Sequence, residues 1–415
     1  MLIPRRAVLA ATGAASLLPF ARRGSASADG SSIRIGVILP LSGNLAVVGQ
    51  PVKTGAEIAA ETINKSGGIV GHPVELVFRD DQGKPELAVA ALRELAGNGI
   101  NLLVGGMLTV TAMPVIPILP ELKTVFMVTA SIGMPFTHEL YNRYMFRCSE
   151  NEYMRLKGLA RLGVERFPDA LSFVGVMSDT ATYRDGYDDF RKIAAAVYGA
   201  SGKKPTFADP VLAKLGTTDF RSQLTALSGM KVDAVFSIVS GSDGVTFWQQ
   251  AHAFGFATKL KAVLDQGIDL GAAKALKQNL PPNLWSTQNW DPHIYAGNPI
   301  SKAFVEAYFT RTKDPSPSGY VEYGHLPLVA LGAAIKEANG ATDSETVIRV
   351  LESVKLETAK GPLYFRREDH QGIADVDFIN ISPSDQEPGF IVSDTFKIPG
   401  AELVEPASPG VKFVL

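Results

Sequence analysis

Residue types that carry out catalysis or bind metals are few in this chain, and their spacing matches no motif for either. The histidines are His72, His138, His252, His293, His325 and His370. None of them forms the His-x-x-x-His or His-Glu-x-x-His spacing of a zinc site. The chain also lacks a Gly-x-Ser-x-Gly elbow, a Gly-x-Gly-x-x-Gly loop and a Walker lysine motif, and Cys148 is its single cysteine. The sequence therefore predicts no enzyme activity, no metal and no cofactor.

Polar loops that follow buried strands are the next candidates for chemistry, and the first such loop is the most informative. Ile33–Leu39 is a short apolar run that predicts a buried strand, and Pro40 ends it. Ser42–Asn44 forms a polar loop, and apolar residues then recur with helical spacing up to Ile63. A strand–loop–helix unit places loop groups and helix N-terminal N–H groups at the carboxyl edge of a parallel sheet, where open α/β folds bind ligands.

The same alternation of strand and helix continues through most of the chain. Further strands are predicted at 74–78, 100–105, 124–128, 144–148, 171–177, 234–239, 260–264 and 283–289, with helices between most of them. Near the end, Gly361–Phe365 and Ala374–Ile379 are predicted to form a closing hairpin or edge pair. This alternation predicts an α/β architecture with right-handed crossovers and parallel sheets.

Composition and charge restrict the classes to which the protein can belong. The chain has 415 residues, 46% of them hydrophobic, which is enough for about two domains. Residues 1–28 contain four arginines and no acid, so removing them leaves 36 of the 40 basic residues and all 42 acidic residues, a net charge of −6. A negative net charge argues against nucleic acid or an anionic membrane surface as a partner.

The N-terminus has the pattern of an export signal. Arg5 and Arg6 precede the weakly apolar run from Ala7 to Phe20, and the small residues 26–28 fit a cleavage site. The expected mature chain therefore begins at residue 29, after cleavage near Ala28, and the expected location is the periplasm. The paired arginines resemble a twin-arginine signal, and an ordinary Sec signal is the alternative.

Most of the mature chain resembles a type I periplasmic solute-binding protein, and in particular the branched-chain amino acid receptors of ABC transporters. The resemblance rests on IRIGVILPLSGNLAVVGQPVKTGAEIAAETIN, NKSGGIVGHPVELVFRDD and VGGMLTVTAMPV, taken in order. It implies two doubly wound parallel-sheet lobes joined by three crossovers, which close on a small ligand and dock on a membrane permease. The expected segments are lobe 1 at 29–148, lobe 2 at 149–267, a return to lobe 1 at 268–345, and a return to lobe 2 with a C-terminal tail at 346–415. A monomer is expected.

The resemblance also implies which residues contact the ligand. The expected ligand-binding residues are Ser42, Thr109 and Ser131 in lobe 1, Glu152, Tyr183, Ser240, Asp265 and Gln266 in lobe 2, and the pocket-lining Tyr320. Thr109 and Ser131 lie where family members bind a carboxylate, and hydroxyls with helix N-terminal donors suit an anion. Each position also has a structural interpretation: hydroxyls can cap helices, Glu152 suits a first helical turn, and Asp265 suits a turn after a strand.

The chain departs from amino acid receptors at several of these positions. It has Val48 where an aromatic side chain is expected, and another aromatic is expected near Ser240. The acidic residue that would bind an ammonium group is expected around Gln266, where only Asp265 could supply it. The expected function is capture of an amino acid or other small carboxylate for an ABC importer. Aromatic acids, amides and urea are alternative ligands, and a ligand-sensing receptor or a two-lobed enzyme is the alternative class.

Overall fold

The computed structural model describes residues 31–239 and 241–415. In that part of the chain the strands are β1 (Ile33–Leu39), β2 (Val74–Asp80), β3 (Leu102–Gly105), β4 (Val125–Val128), β5 (Met145–Arg147), β6 (Ser172–Ser178), β7 (Thr206–Phe207), β8 (Val211–Ala213), β9 (Ala234–Ile238), β10 (Ala262–Asp265), β11 (Leu284–Gln288), β12 (Lys355–Thr358), β13 (Gly361–Phe365), β14 (Gly372–Ile373), β15 (Val376–Pro383) and β16 (Phe390–Ile398). The α-helices are α1 (Ala46–Lys65), α2 (Pro85–Gly97), α3 (Thr109–Ala112), α4 (Leu119–Leu122), α5 (Glu152–Arg166), α6 (Ala181–Ala200), α7 (Arg221–Ser228), α8 (Gly241–Ala253), α9 (Leu270–Leu276), α10 (Pro299–Thr312), α11 (Tyr320–Glu337), α12 (Ser344–Leu351) and α13 (Gly400–Leu403). The predicted export signal and its cleavage site lie outside the described residues.

Lobe 1 is built on a five-stranded parallel sheet in the order β2-β1-β3-β4-β5. The interior strand β1 is apolar on both faces because both are covered, and the adjacent residues Val37 and Ile38, which point to opposite faces, are both buried. Helices α1 and α11 cross closely on this lobe, since a Cβ on Gly55 would lie 1.7 Å from the carbonyl oxygen of Val321. The absence of a side chain at that position is what allows the two backbones to approach.

Lobe 2 is built on an eight-stranded sheet whose path is β16-β15-β11-β10-β9-β6-β7, with β8 paired to β6. Strands β6 to β11 pair in parallel, whereas β15 pairs antiparallel with both β11 and β16. The predicted α/β architecture with parallel sheets is confirmed. The predicted pairing of 361–365 with 374–379 is wrong, because Phe378 and Ile379 are buried on opposite faces of an interior strand of lobe 2.

The chain passes between the lobes after β5, after β11 and between β14 and β15. The first passage lies between Arg147, at the end of β5, and Glu152, at the start of α5. The later boundaries are shifted, since β11 is still part of the lobe 2 sheet although 268–345 is expected to return to lobe 1. Likewise Leu356, Leu363 and Phe365, in β12 and β13, pack in the core of lobe 1 although 346–415 is expected to return to lobe 2.

The C-terminal tail adds a further link between the lobes. It leaves α13, which packs on α5 of lobe 2, and then lies against His138 of lobe 1. Glu405 is 3.3 Å from Nε2 of His138, the Ser408 hydroxyl is 2.7 Å from its Nδ1, and the ring of Phe413 lies 4.9 Å from the imidazole. None of the helices in the described residues is long and apolar enough to cross a membrane.

Candidate functional site

A polar cavity lies between the lobes at the carboxyl ends of β10 and β11 and the N-terminus of α11. Its lining residues are Arg155, Gln266, Gly267, Ile268, Asp269, Thr287, Gln288, Asn289, Gly319, Tyr320 and Tyr323. Two predicted site residues, Gln266 and Tyr320, are among them. This is the sheet edge at which α/β folds place their ligands, so the cavity is the best candidate for a binding site.

Two tyrosines from the first turn of α11 form one wall of the cavity. The rings of Tyr320 and Tyr323 are 5.9 Å apart between centroids, and Tyr323 is 6% exposed. Burial raises the pKa of the Tyr320 hydroxyl, and the charges of Asp269 and Arg155 also act on it. The tyrosines therefore offer an apolar face with a hydroxyl at its edge, which suits the body of a small organic ligand.

Arg155, from α5, reaches the cavity from the base of lobe 2. Its Nε donates to Oε1 of Glu150 at 2.9 Å, and its Nη2 donates to the hydroxyl of Tyr323. Burial alone would lower the pKa of the guanidinium, but Tyr323 and Glu150 outweigh burial and raise it. Sequence reasoning missed this residue, because one arginine on a charged amphipathic helix carries no signal of facing a cleft.

Asp265 ends β10 and Gln266 follows it, but the two side chains face different surroundings. The Asp265 carboxylate is fully buried and accepts hydrogen bonds from the backbone N–H of Gly267, at 2.6 Å, and of Ile268. Burial raises the pKa of this carboxyl to about 6. Gln266, by contrast, lines the cavity, and neither its Oε1 nor its Nε2 has a hydrogen-bond partner among the described residues. Asp265 thus shapes the turn, whereas the amide of Gln266 is available to a ligand.

The predicted hydroxyls of lobe 1 lie outside the lining of the cavity. Ser42 donates to Oδ2 of Asp80 at 2.5 Å, and the buried Ser131 donates to the carbonyl oxygen of Gly106 at 2.7 Å. Both hydroxyl oxygens retain lone pairs but have committed their protons to lobe 1 itself. Thr109 is half-buried at the start of α3, and no hydrogen bond of its hydroxyl appears within the described part of the chain. Of the three, Thr109 has the hydroxyl best placed to donate to a ligand.

Glu152 starts α5 directly after Asn151, whose side chain caps that helix. A Cβ on Gly186 of α6 would lie 2.7 Å from Oε1 of Glu152, so this carboxylate packs against α6. Burial, followed by the nearby charge of Asp189, raises the pKa of Glu152 to about 7. It lies in lobe 2 beside the first turns of two helices, outside the lining of the cavity.

Tyr183 occupies the first turn of α6, where its backbone N–H donates to the hydroxyl of Thr180. It packs against the core of lobe 2, whereas Tyr320 packs against the core of lobe 1, and it makes a minor contribution to the raised pKa of the Tyr320 hydroxyl. Ser240 lies outside the described residues. The structure thus brings together Gln266, Tyr320 and, by proximity, Tyr183.

A cluster of buried charges lies behind the cavity, at the segments that connect the lobes. The Nζ of Lys360 is 3.4 Å from Oε2 of Glu150 and 4.0 Å from Oδ2 of Asp377. Burial opposes ionisation of Glu150, but Lys360 and Arg155 outweigh it and lower its pKa to about 2. Burial raises the pKa of Asp377 to about 8, and that of Glu322 also to about 8. Burial thus favours the protonated form of these two carboxyls.

Two α/β lobes that enclose a polar cavity at three chain crossings define the two-lobed class of ligand-binding proteins. No group of three or more His, Cys, Asp or Glu side chains that could hold a metal ion occurs in the described ranges. Residues 32–387 match the model of the periplasmic binding protein family, and the chain belongs to that family. The role of this family is to bind solutes, so the protein is a binding protein and not an enzyme.

Known relatives agree with this assignment. The chain is 29% identical over 343 residues to Leu/Ile/Val-binding protein homolog 3 of Brucella melitensis, covering 82% of this chain and 89% of the relative. Its fold is similar to a solute binding protein of an ABC transporter from Rhodopseudomonas palustris in complex with 3,4-dihydroxy benzoic acid, with a TM-score of 0.75, 19% identity and coverage of 89% and 98%. It is also similar to a branched-chain amino acid transporter substrate binding protein from Streptococcus pneumoniae in complex with isoleucine, with a TM-score of 0.74, 19% identity and coverage of 89% and 99%.

Proposed function

We propose that this chain is the periplasmic receptor of an ABC importer and captures an amino acid or other small carboxylate between its lobes. The single observation that carries the proposal is the polar interlobe cavity lined by Arg155, Gln266 and the two tyrosines of α11. The names of the relatives support branched-chain amino acids as the leading ligands. The dihydroxybenzoate complex of one structural neighbour supports aromatic acids as the alternative.

In the proposed mechanism, ligand contacts one lobe first and hinge motion at the crossings closes the other lobe over it. The carboxylate is bound by the loops of Thr109 and Ser131, and the body of the ligand packs against Tyr183 and Tyr320. Ligand stabilises the closed form only by the difference between its affinities for the closed and open forms. The closed form is the one that the membrane permease recognises. The receptor acts as a monomer and has no nucleic acid partner.

A thermal-shift screen tests this proposal. Purified protein, freed of carried-over ligand by unfolding and refolding, is screened with leucine, isoleucine, valine, aromatic acids, dicarboxylates, amides and urea. A ligand that binds the native state raises the melting temperature by mass action. The variant Thr109→Val should reduce the shift, whereas the exposed control Thr310→Val should not. Absence of any shift across the whole panel would contradict the proposal and favour a sensor of another ligand class.

Export is tested separately. The proposal places cleavage near Ala28, so the intact mass of protein recovered from the periplasm should correspond to a chain that begins at Asp29. Substituting Lys for both Arg5 and Arg6 should block export if the signal is of the twin-arginine type and leave it intact if the signal is of the Sec type.

A further inference from the structure

The amide of Gln266 is the feature of the cavity that the proposed function leaves unexplained. Both of its polar atoms are buried and lack a hydrogen-bond partner among the described residues. Exchanging the oxygen and nitrogen of the amide by rotating it would not change this observation, because neither Oε1 nor Nε2 has a partner. A buried amide of this kind demands one donor and one acceptor from whatever fills the cavity.

Several other polar groups of the cavity already have partners. Arg155 is bound to Glu150 and to Tyr323. Oδ1 of Asp269 accepts the backbone N–H of Ala272 at 2.8 Å, as the N-cap of α9. Nε2 of Gln288 donates to the carbonyl oxygen of Ile268 at 3.2 Å. Oδ1 of Asn289 is a further buried lining atom without a partner among the described residues, but Gln266 is the lining side chain in which a donor and an acceptor are both unpaired.

Three kinds of ligand group would satisfy this amide to different extents. An ammonium group donates to Oε1 but leaves the N–H groups of Nε2 unpaired, and it places a positive charge in the cavity that Arg155 lines. A carboxylate accepts from Nε2 but leaves Oε1 facing oxygen lone pairs. A carbonyl that carries an NH₂ group accepts from Nε2 and donates to Oε1 at once, and adds no charge.

We propose that the ligand presents a carboxamide or ureido group, a carbonyl bearing NH₂, to Gln266. The inference rests on the proposed function, since it concerns the end of the ligand opposite the carboxylate that lobe 1 is proposed to bind. The ligand class is therefore a small acid with a terminal amide. A buried hydrogen-bonding group left unpaired weakens binding of the wrong ligand by about tenfold or more.

Three probes of similar length test this proposal: succinamate, succinate and 4-aminobutyrate. They share one carboxylate and differ at the other end, which is a carboxamide, a carboxylate or an ammonium group. Their dissociation constants are measured by calorimetry on the ligand-free protein, with leucine as a fourth probe. We expect succinamate to bind about tenfold more tightly than the other two.

A charge-changing variant makes the test specific to Gln266. Gln266→Glu replaces a donor and an acceptor by acceptors alone, so it should weaken succinamate and strengthen 4-aminobutyrate, reversing their order. The matched control Gln249→Glu, on the exposed face of α8, should leave the order unchanged. Melting temperatures without ligand establish that both variants are folded.

The possible outcomes separate the inference from the proposed function. Tight binding of leucine or succinate, with succinamate no better, would overturn the inference and leave the carboxylate receptor in place. An unchanged order of affinities in Gln266→Glu would also overturn it. Failure of all four probes, together with the wider acid panel, would overturn the proposed function itself.

Discussion

Replacing Glu322 by Gln should change how the stability of this protein depends on pH. Glu322 is fully buried in the first turn of α11, next to the crossing that contains Asn289, whose Nδ2 donates to its Oε2. A glutamine keeps an oxygen at that place but cannot ionise. The substitution therefore removes one titrating group while preserving the side-chain volume and the hydrogen bond. The difference between the two proteins then measures the free-energy cost of ionising Glu322 in the folded state.

The expected size follows from the raised pKa. Burial moves the pKa of Glu322 from 4.5 to about 8 in the folded protein. The native state therefore holds a proton that the unfolded chain releases, so the stability from this group is complete below pH 4.5 and is lost as pH rises to about 8. The full shift corresponds to about 5 kcal/mol. Because local relaxation stabilises part of the buried charge, we expect Glu322→Gln to gain at least ~2 kcal/mol relative to wild type between pH 5 and pH 8.

The assay is urea unfolding of both proteins at pH 5, 6, 7 and 8, followed by tryptophan fluorescence and by circular dichroism. Equal slopes against urea and coincident transitions would establish that the same unfolding reaction is compared. Glu306→Gln, on the exposed face of α10, is the matched control and should show no comparable gain. The reasoning would be refuted if the difference in unfolding free energy between Glu322→Gln and wild type did not change from pH 5 to pH 8. An equal gain in stability in the control would also refute it.

Three further substitutions test other parts of the structure. Asp265→Ala should cost about 1–2 kcal/mol of unfolding free energy in urea titrations, because it removes the oxygen that accepts two backbone N–H groups of the turn after β10, and it should leave ligand charge preference in calorimetry unchanged. Gly55→Ala should cost about 3 kcal/mol because its Cβ would meet the carbonyl of Val321, whereas Gly97→Ala, where a Cβ meets nothing within 4 Å, should cost little in the same titration. Arg155→Met should destabilise the protein by about 1–3 kcal/mol, because it removes one of the two cations that face the buried Glu150 carboxylate and leaves Lys360 as the other, and it should weaken ligand binding measured by calorimetry.

The fold could be predicted from the sequence wherever a strand is apolar on both faces and is followed by a clear turn. The predicted strand Ile33–Leu39 has the bounds observed for β1, and Gly67 and Gly68 follow the observed end of α1. Such runs are short, lack helical periodicity and need cover on both faces, which fixes a buried parallel strand. The alternation of these strands with helices predicted parallel α/β sheets, and the resemblance to type I periplasmic solute-binding proteins implied the two lobes.

The assignment of later strands to a lobe could not be predicted in the same way. A run such as Leu284–Gln288 predicts a strand, but its composition does not say which sheet it joins. It joins lobe 2 because it pairs with β10 and β15, and both contacts depend on residues distant in sequence. Likewise β12 and β13 pack on lobe 1 through a few side chains, Leu356 and Leu363 among them, that would suit either core.

The sequence likewise could not predict which polar side chains of the site remain free to bind a ligand. The family resemblance selected Ser42, Ser131 and Asp265, whose hydroxyls and carboxylate can bind ligands. In the structure, Ser42 donates to Asp80, Ser131 donates to the carbonyl of Gly106, and Asp265 accepts from the N–H groups of the turn after β10. Each of these hydrogen bonds lies within a single lobe. Gln266 was selected on the same grounds, but its amide remains unpartnered within the described chain. Whether a polar residue serves the scaffold or the ligand is decided by which neighbours satisfy it, and that depends on tertiary contacts that no local pattern encodes.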